Sequence, residues 1–254
     1  MGIFESIILG IIEGITEFLP ISSTGHMILA SKVMGLEQTQ FLKTFEVAIQ
    51  LGSILAVVCL FYKKLTRSLD IWFKLIIGFI PTGILGLTLY KMIKGLFSPN
   101  VVAYMLIVGG IVFLLIEKFY KESSHKIESV EQIGYKQAFL VGLFQSLAMI
   151  PGTSRSGSTI VGGLLLGLSR KCAAEFSFLL AIPTMFSATL YDVYKNYQVL
   201  DLANLQALLI GGIVAFLVAL VVIKVFLRFI SSIGYGVFGI YRIVLGAVFL
   251  LWVL

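Results

Sequence analysis

The sequence predicts an all-α polytopic membrane protein, built as an inverted-topology repeat with six transmembrane helices and two re-entrant helical hairpins. Three observations point there. Of 254 residues, 59% are hydrophobic and 13% charged, the charged share being about half that of a soluble domain. Six apolar runs approach the roughly 20 residues that a bilayer core of about 30 Å demands. Two further apolar stretches break at clusters of Pro, Ser and Gly, and the two breaks resemble each other. A mean hydropathy of +1.03 excludes a disordered chain, a collagen-like chain and an ordinary soluble enzyme.

The chain starts without a basic segment ahead of its first apolar run, so no cleavable signal peptide is expected. Residues 3–19 are apolar but carry Glu5, Glu13 and Glu17, and stop at Pro20-Ile21-Ser22-Ser23-Thr24-Gly25. A short apolar piece, 27–35, follows. Spans are expected at 44–62, 71–90 and 101–116. Residues 135–150 then stop at Pro151-Gly152-Thr153-Ser154-Arg155-Ser156-Gly157, with a second short piece at 158–168. Such a piece covers only about 16 Å as a helix. Helix, break and short helix describe a re-entrant hairpin, whose irregular backbone survives only inside protein or along a cavity. Spans at 173–191, 205–223 and 237–254 complete the chain. Cys59 and Cys172 sit in or beside apolar runs, which argues against a disulfide framework or a Cys-rich metal site.

The broken segments align. An offset of 132 brings Gly10 onto Gly142, Glu13 onto Gln145 and Gly25 onto Gly157. An offset of 131 brings Pro20 onto Pro151, Ser23 onto Ser154 and Phe45 onto Phe176. The single transmembrane domain, 1–254, therefore reads as two copies, about 1–122 and 130–254. Each copy is a hairpin plus three spans. Three is odd, so the second copy enters from the opposite side, and paired broken segments point to a midplane site. With this topology thirteen Lys and Arg, Arg242 among them, fall on one side and five on the other. The basic side is cytoplasmic by the positive-inside rule, so the first hairpin opens outward. The net charge of +6 fits such loops rather than a nucleic-acid partner.

Glu13 and Glu17 are one turn apart and share a helical face. Acidic groups at membrane depth are costly and functional by default. Two on one face call for a proton or a divalent cation, Mg2+ or Ca2+, which prefers oxygen ligands. Ser22-Ser23-Thr24-Gly25-His26 adds hydroxyls and a general acid/base, and Ser22 or Ser23 can cap the following half-helix. The second break offers Gly152, Thr153, Ser154, Ser156 and Thr159 at a half-helix start, which attracts anions. Arg155 adds a planar fork suited to phosphate oxygens; pairing with Glu13 or Glu17 for folding is the alternative. Glu46, Gln50 and Glu175 are expected to brace the hairpins.

The run Glu-Gly-Ile-Thr-Glu-Phe-Leu-Pro-Ile-Ser-Ser-Thr-Gly-His at 13–26 resembles the glutamate-rich motif of the undecaprenyl-diphosphate phosphatases, the bacitracin-resistance protein family. Pro-Gly-Thr-Ser-Arg-Ser-Gly-Ser-Thr at 151–159 is similar to the second motif of that family, and the resemblance covers essentially the whole chain. It implies a bacterial plasma-membrane enzyme that hydrolyses undecaprenyl diphosphate to the monophosphate carrier of peptidoglycan synthesis. It further implies bacitracin resistance, divalent-metal dependence and an active site on the outer face. Carried onto this chain, Glu13 and Glu17 are the acidic, metal-holding pair. Ser23 and His26 lie at the reacting centre with Glu17, and Arg155 binds phosphate. Ser22, Thr24, Gly152, Thr153, Ser154, Ser156 and Thr159 line the substrate. The nucleophile stays open between Ser23, His26 and water. A homodimer also stays open, as does a transporter that flips polyprenyl phosphate, because inverted repeats with broken helices are transporter architecture.

Overall fold

The computed structural model describes residues 1–120, 127–196, 198 and 202–253. Among these no strand forms, and one isolated bridge joins Ile127 to Leu168. Helix α1 (Ile3–Thr16) runs into the first break, and α2 (Ser23–Val33) leaves it. Helices α3 (Gln40–Ala48) and α4 (Gln50–Arg67) form one apolar rod interrupted at Ile49. Next come α5 (Leu69–Thr88), the short α6 (Tyr90–Gly95) and α7 (Pro99–Phe119). Helices α8 (Tyr135–Ser146) and α9 (Arg155–Leu165) flank the second break. Three more follow: α10 (Arg170–Lys195), α11 (Leu202–Ile233) and α12 (Gly236–Val248), the last prolonged by a π-helical turn, Phe249–Val253.

Five rods are long and apolar enough to cross a membrane: Gln40–Arg67, Leu69–Thr88, Pro99–Phe119, Arg170–Lys195 and Asn204–Ile233. The last expected span is a shorter apolar helix, Gly236–Trp252, about 25 Å long at the α-helical rise. The rods begin where a hydroxyl satisfies an orphan N–H. Ser98 accepts from the Val101 N–H ahead of α7, and Ser169 from that of Cys172 ahead of α10.

Small residues decide which helices touch, because an apolar solvent gives helices no hydrophobic reason to associate and close backbone approach must do the work. A Cβ on Gly10 of α1 would stand 2.6 Å from the carbonyl oxygen of Gly211 on α11. Gly142 of α8 lies so close to the Gly78 carbonyl of α5 that no side chain fits. The first helix of each broken segment therefore packs on a rod from the other half of the chain. Helices α7 and α12 meet reciprocally. A Cβ on Gly110 would come 2.6 Å from the Gly239 oxygen, and one on Gly239 would come 2.8 Å from the Gly110 oxygen.

The two half-helices differ in cover. Helix α9 is buried continuously from Ser156 to Leu164, so the second break has protein around it, as irregular backbone in a membrane requires. In α2 only Gly25, Met27 and Ser31 are buried. Half-helix α2 therefore lies at a flank of the bundle and α9 within it, while the breaks themselves are buried at Pro20, Ile21 and Ser22 and at Pro151 and Gly152.

Candidate active site

Both breaks end in the same local geometry. Ser22 (φ 70°) and Ser154 (φ 75°) are the positive-φ residues other than glycine among those described. Each caps its half-helix through its own hydroxyl, which accepts from the N–H three residues on: Gly25 at 3.5 Å and Gly157 at 3.1 Å. Backbone held in such sparsely populated regions persists only where surrounding structure imposes it, and clusters at functional sites. The cap is therefore Ser22, not Ser23, and the geometric counterpart of Ser154 is Ser22 rather than the Ser23 suggested by sequence alignment. Arg155 then takes the place that Ser23 holds in the first break.

The two half-helix starts face one cavity of about 130 Å³, lined by Glu17, Ser22, Ser23, Thr24, Gln50, Ala148, Ser154, Arg155 and Met185. Glu17 joins its parts. The Ser23 hydroxyl donates to Glu17 Oε2 at 2.7 Å, and Arg155 Nη2 donates to Glu17 Oε1 at 2.9 Å. Arg155 Nη1 donates to the Ser177 carbonyl at 2.9 Å, and the guanidinium lies over the Phe18 ring at 5.6 Å. Its Nε is buried without a partner. This arrangement can do acid–base work on a hydroxyl. A carboxylate accepts the hydroxyl's hydrogen, a cation steadies the carboxylate, and two helix N-termini favour anionic oxygens.

The sequence motifs agree with the family to which comparisons with known proteins point. The sequence model of bacitracin resistance protein BacA matches residues 6–248. An undecaprenyl-diphosphatase of Persephonella marina is 64% identical over 254 residues, covering 100% of both chains. One of Wolinella succinogenes is 62% identical over 252 residues, covering 99% of this chain and 98% of the relative. One of Campylobacter fetus is 58% identical over 259 residues, covering 100% of each. The chain belongs to the BacA bacitracin-resistance family. With its five membrane-length apolar rods, this BacA-family chain is a multi-pass membrane protein.

Glu17, Ser23, Arg155, Ser22, Thr24 and Ser154 of the BacA-family motifs thus meet in one cavity, but the other motif residues do other things. His26 does not line it. Its Nδ1 lies 2.8 Å from the Ser22 carbonyl, which can only accept, so Nδ1 carries a proton. Its Nε2 lies 2.7 Å from the Tyr241 hydroxyl, and the two rings stack at 5.6 Å. Ser156 and Thr159 turn inward and tie the fold together. The Ser156 hydroxyl donates to the Leu19 carbonyl of the first break, and that of Thr159 donates to the Ser177 hydroxyl. Gly152 (φ 89°) presses against Val102, so that a Cβ there would meet the Val102 carbonyl oxygen at 2.5 Å. Thr153 is not in the cavity wall, and its hydroxyl is buried without a partner. Of the three expected braces, Glu46 accepts from the Ser31 hydroxyl of α2. Glu175 instead holds Lys64 of α4 at 2.6 Å. Gln50 lies in the cavity wall.

Arg242 corrects the loop-charge tally. It is fully buried, not in a loop. Its nitrogens donate to the carbonyls of Pro20, Gly152, Met105 and Leu106 at 3.0–3.4 Å. One side chain thereby ties both breaks to each other and to α7. The signal was present as an arginine inside an apolar run, which is a functional hint by default.

A divalent cation finds partial but chemically apt ligands. Both Glu13 oxygens are buried without a partner, as is the Ser53 hydroxyl. Among the described residues no group of three or more His, Cys, Asp and Glu could hold a metal ion. Magnesium characteristically takes one or two carboxylates and completes its shell with water and substrate phosphates. Glu17 in the cavity wall, and Glu13 one turn before it and outside that wall, are carboxylates of the kind it would need.

Proposed function

We propose that this chain is a membrane phosphatase that hydrolyses undecaprenyl diphosphate to undecaprenyl phosphate and inorganic phosphate. It thereby recycles the lipid carrier of peptidoglycan synthesis and confers resistance to bacitracin. The observation that carries the reading is the single cavity where both half-helix starts meet around the Ser23–Glu17–Arg155 chain of hydrogen bonds. The name undecaprenyl-diphosphatase, borne by relatives identical at 58–64% over essentially the whole chain, supports the same substrate.

The broken segments are read as re-entrant hairpins within an inverted repeat, about 1–122 and 130–254, of six spans. The matching caps at Ser22 and Ser154 support this, as do the exchanged packing of α1 on α11 and α8 on α5 and the reciprocal Gly110–Gly239 crossing. Without Arg242 the Lys and Arg excess falls to twelve against five, which still favours a plasma-membrane protein with its site open to the outer face. Lys121 and Lys126 of that tally lie outside the described residues.

In the reaction Ser23 Oγ attacks the terminal phosphorus as Glu17 takes the hydroxyl proton. The bond from that phosphorus to the bridging oxygen breaks, and the lipid monophosphate leaves. Glu17 passes the hydroxyl proton to the departing lipid phosphate. Water then attacks the phosphoserine, with Glu17 accepting its proton. The bond from Ser23 Oγ to phosphorus breaks, Glu17 returns the proton to Oγ, and inorganic phosphate departs. Arg155 and the half-helix N–H groups face the oxygens on which charge develops. Glu13 and Glu17 would hold Mg2+ or Ca2+, which supplies charge neutralisation for the diphosphate when bound. The polyprenyl tail lies among the apolar helices.

Purified full-length protein in detergent, given undecaprenyl diphosphate and Mg2+ or Ca2+, is expected to release phosphate. Glu17→Gln is expected to lose most of that activity while keeping its fold. Detergent abolishes vectorial transport but not chemistry, so no release by the wild type would favour the lipid transporter. Near wild-type release by Glu17→Gln in saturating metal would sink the assignment of the base.

A further inference from the structure

We infer that Gln50 is a substrate-contacting residue, its side-chain amide donating to the terminal phosphate in the cavity. The inference rests on the phosphatase reading and adds a third element, α4, to a site otherwise built from the two breaks.

The first argument is donor supply. A diphosphate brings several oxygens that must be met by N–H or O–H groups, and several cavity donors are already engaged. The Ser22 and Ser154 hydroxyls are turned onto their helix caps, where each accepts from a backbone N–H, and that of Ser154 also pairs with the Ser156 hydroxyl at 3.1 Å. The Ser23 hydroxyl donates to Glu17, and both terminal nitrogens of Arg155 donate to protein oxygens. Ala148 and Met185 carry no side-chain donor. Beside the remaining Arg155 N–H bonds and the half-helix backbone, the wall offers the Thr24 hydroxyl and the Gln50 amide, with two N–H bonds. Gln50 makes no hydrogen bond to any described residue, and an amide kept half-buried without a partner faces something it can bind.

The second argument is presentation. Gln50 follows Ile49, where α3 gives way to α4 and where the Gly52 N–H returns to the Ile49 carbonyl at 3.0 Å. Ile49 is 1% exposed and packs in an apolar cluster with Phe45 and Leu9. Gly52 lies so close to the Gly212 backbone of α11 that a Cβ has no room. The backbone around Gln50 is thus clamped on both sides, and a side chain on clamped backbone binds with little ordering cost.

The third argument is charge. The wall already holds a carboxylate at Glu17 and a guanidinium at Arg155, paired with each other. A neutral amide adds donors without repelling the polyanion and without competing for Glu17. An acid at the same place would do the opposite.

The test is phosphate release by purified full-length protein, with thermal unfolding measured alongside. Gln50→Leu is expected to lower kcat/KM roughly tenfold to a hundredfold, as for a lost hydrogen bond to a charged group, at an unchanged unfolding midpoint. Gln50→Glu, nearly the same shape, is expected to be at least as impaired. A bracing role predicts the reverse order, with Glu the milder change, so that order, or a Leu variant within threefold of wild type, overturns the proposal. If Gln50→Leu does not fold, Gln50→Asn is read in its place. It withdraws the amide by one methylene and is expected to lose at least tenfold; wild-type turnover by it overturns the proposal. An active wild type with a dead Arg155→Ala and an unimpaired Gln50→Leu defeats Gln50 alone, whereas an inactive wild type defeats the phosphatase reading with it.

Discussion

Ser22 and Ser23 are neighbours of one chemical type, and backbone geometry gives them different work. The positive φ at Ser22 turns its hydroxyl onto the Gly25 N–H, while the Ser23 hydroxyl falls to Glu17 at 2.7 Å. A nucleophile next to its base is the arrangement covalent catalysis requires. Ser23→Ala is therefore expected to lose on the order of 10³-fold or more in kcat, in keeping with other covalent nucleophiles. A phosphoenzyme should be trappable in the wild type by rapid acid quench. A loss of only about 10–150-fold, the range of one hydrogen bond to a charged group, with no phosphoenzyme, would reduce Ser23 to positioning phosphate and leave water or His26 to attack. Glu17 and Arg155 were legible in the sequence because charge at membrane depth is costly and few bland roles justify it, and Ser23 because it stands in the hydroxyl-rich break directly after Glu17. Gln50 was not, because an uncharged amide in an apolar run carries no such cost and its partner-free orientation exists only in three dimensions.

At the scale of elements, the site is the meeting of two helix starts, and Arg242 of α12 is the clamp between them. Its hold on the Pro20 and Gly152 carbonyls uses the guanidinium's separated donors, which an ammonium at a single point cannot copy. Arg242→Lys is expected to lower the thermal midpoint in detergent, since each buried carbonyl left unpaired costs about 1–3 kcal/mol. It is also expected to cut phosphate release at least tenfold well below that midpoint, because the two breaks lose their common anchor. Full turnover with an unshifted midpoint would show that α7 and the glycine crossings hold the breaks without it. Half-helix α9 illustrates the same dependence. Its sequence shows a short apolar piece, but its burial from Ser156 to Leu164 comes from packing between α8 and α10.

For the whole molecule, topology and orientation stand or fall together. In a cysteine-free background, a single cysteine at Asn196, at the end of α10, is expected to react with an impermeant thiol reagent in intact cells. One at Ser124, outside the described residues, is expected to stay shielded until the membrane is opened. The opposite labelling would turn the site to the cytoplasm and, with it, reverse the reading of the Lys and Arg excess.

Composition and the spacing of apolar runs were sufficient for the class of molecule, because bilayer thickness dictates helix length and the lack of water inside it dictates helix. The two broken segments were equally plain, since Pro, Gly and Ser cluster at both. Which helices touch was not written locally. Gly10 meets Gly211 and Gly142 meets Gly78 only because distant rods approach closely enough to exclude a side chain. Nor could the register between the breaks be read from letters alone, for Ser23 aligns with Ser154 as well as Ser22 does. Tertiary structure chose Ser22 as the cap, moved Arg242 from a loop to the centre and turned Gln50 toward the cavity. Arg242 and Gln50 were placed by packing between segments more than a hundred residues apart, Arg242 on Pro20 and Gly52 on Gly212, where a hydrogen bond or a close approach exists only after the chain has folded.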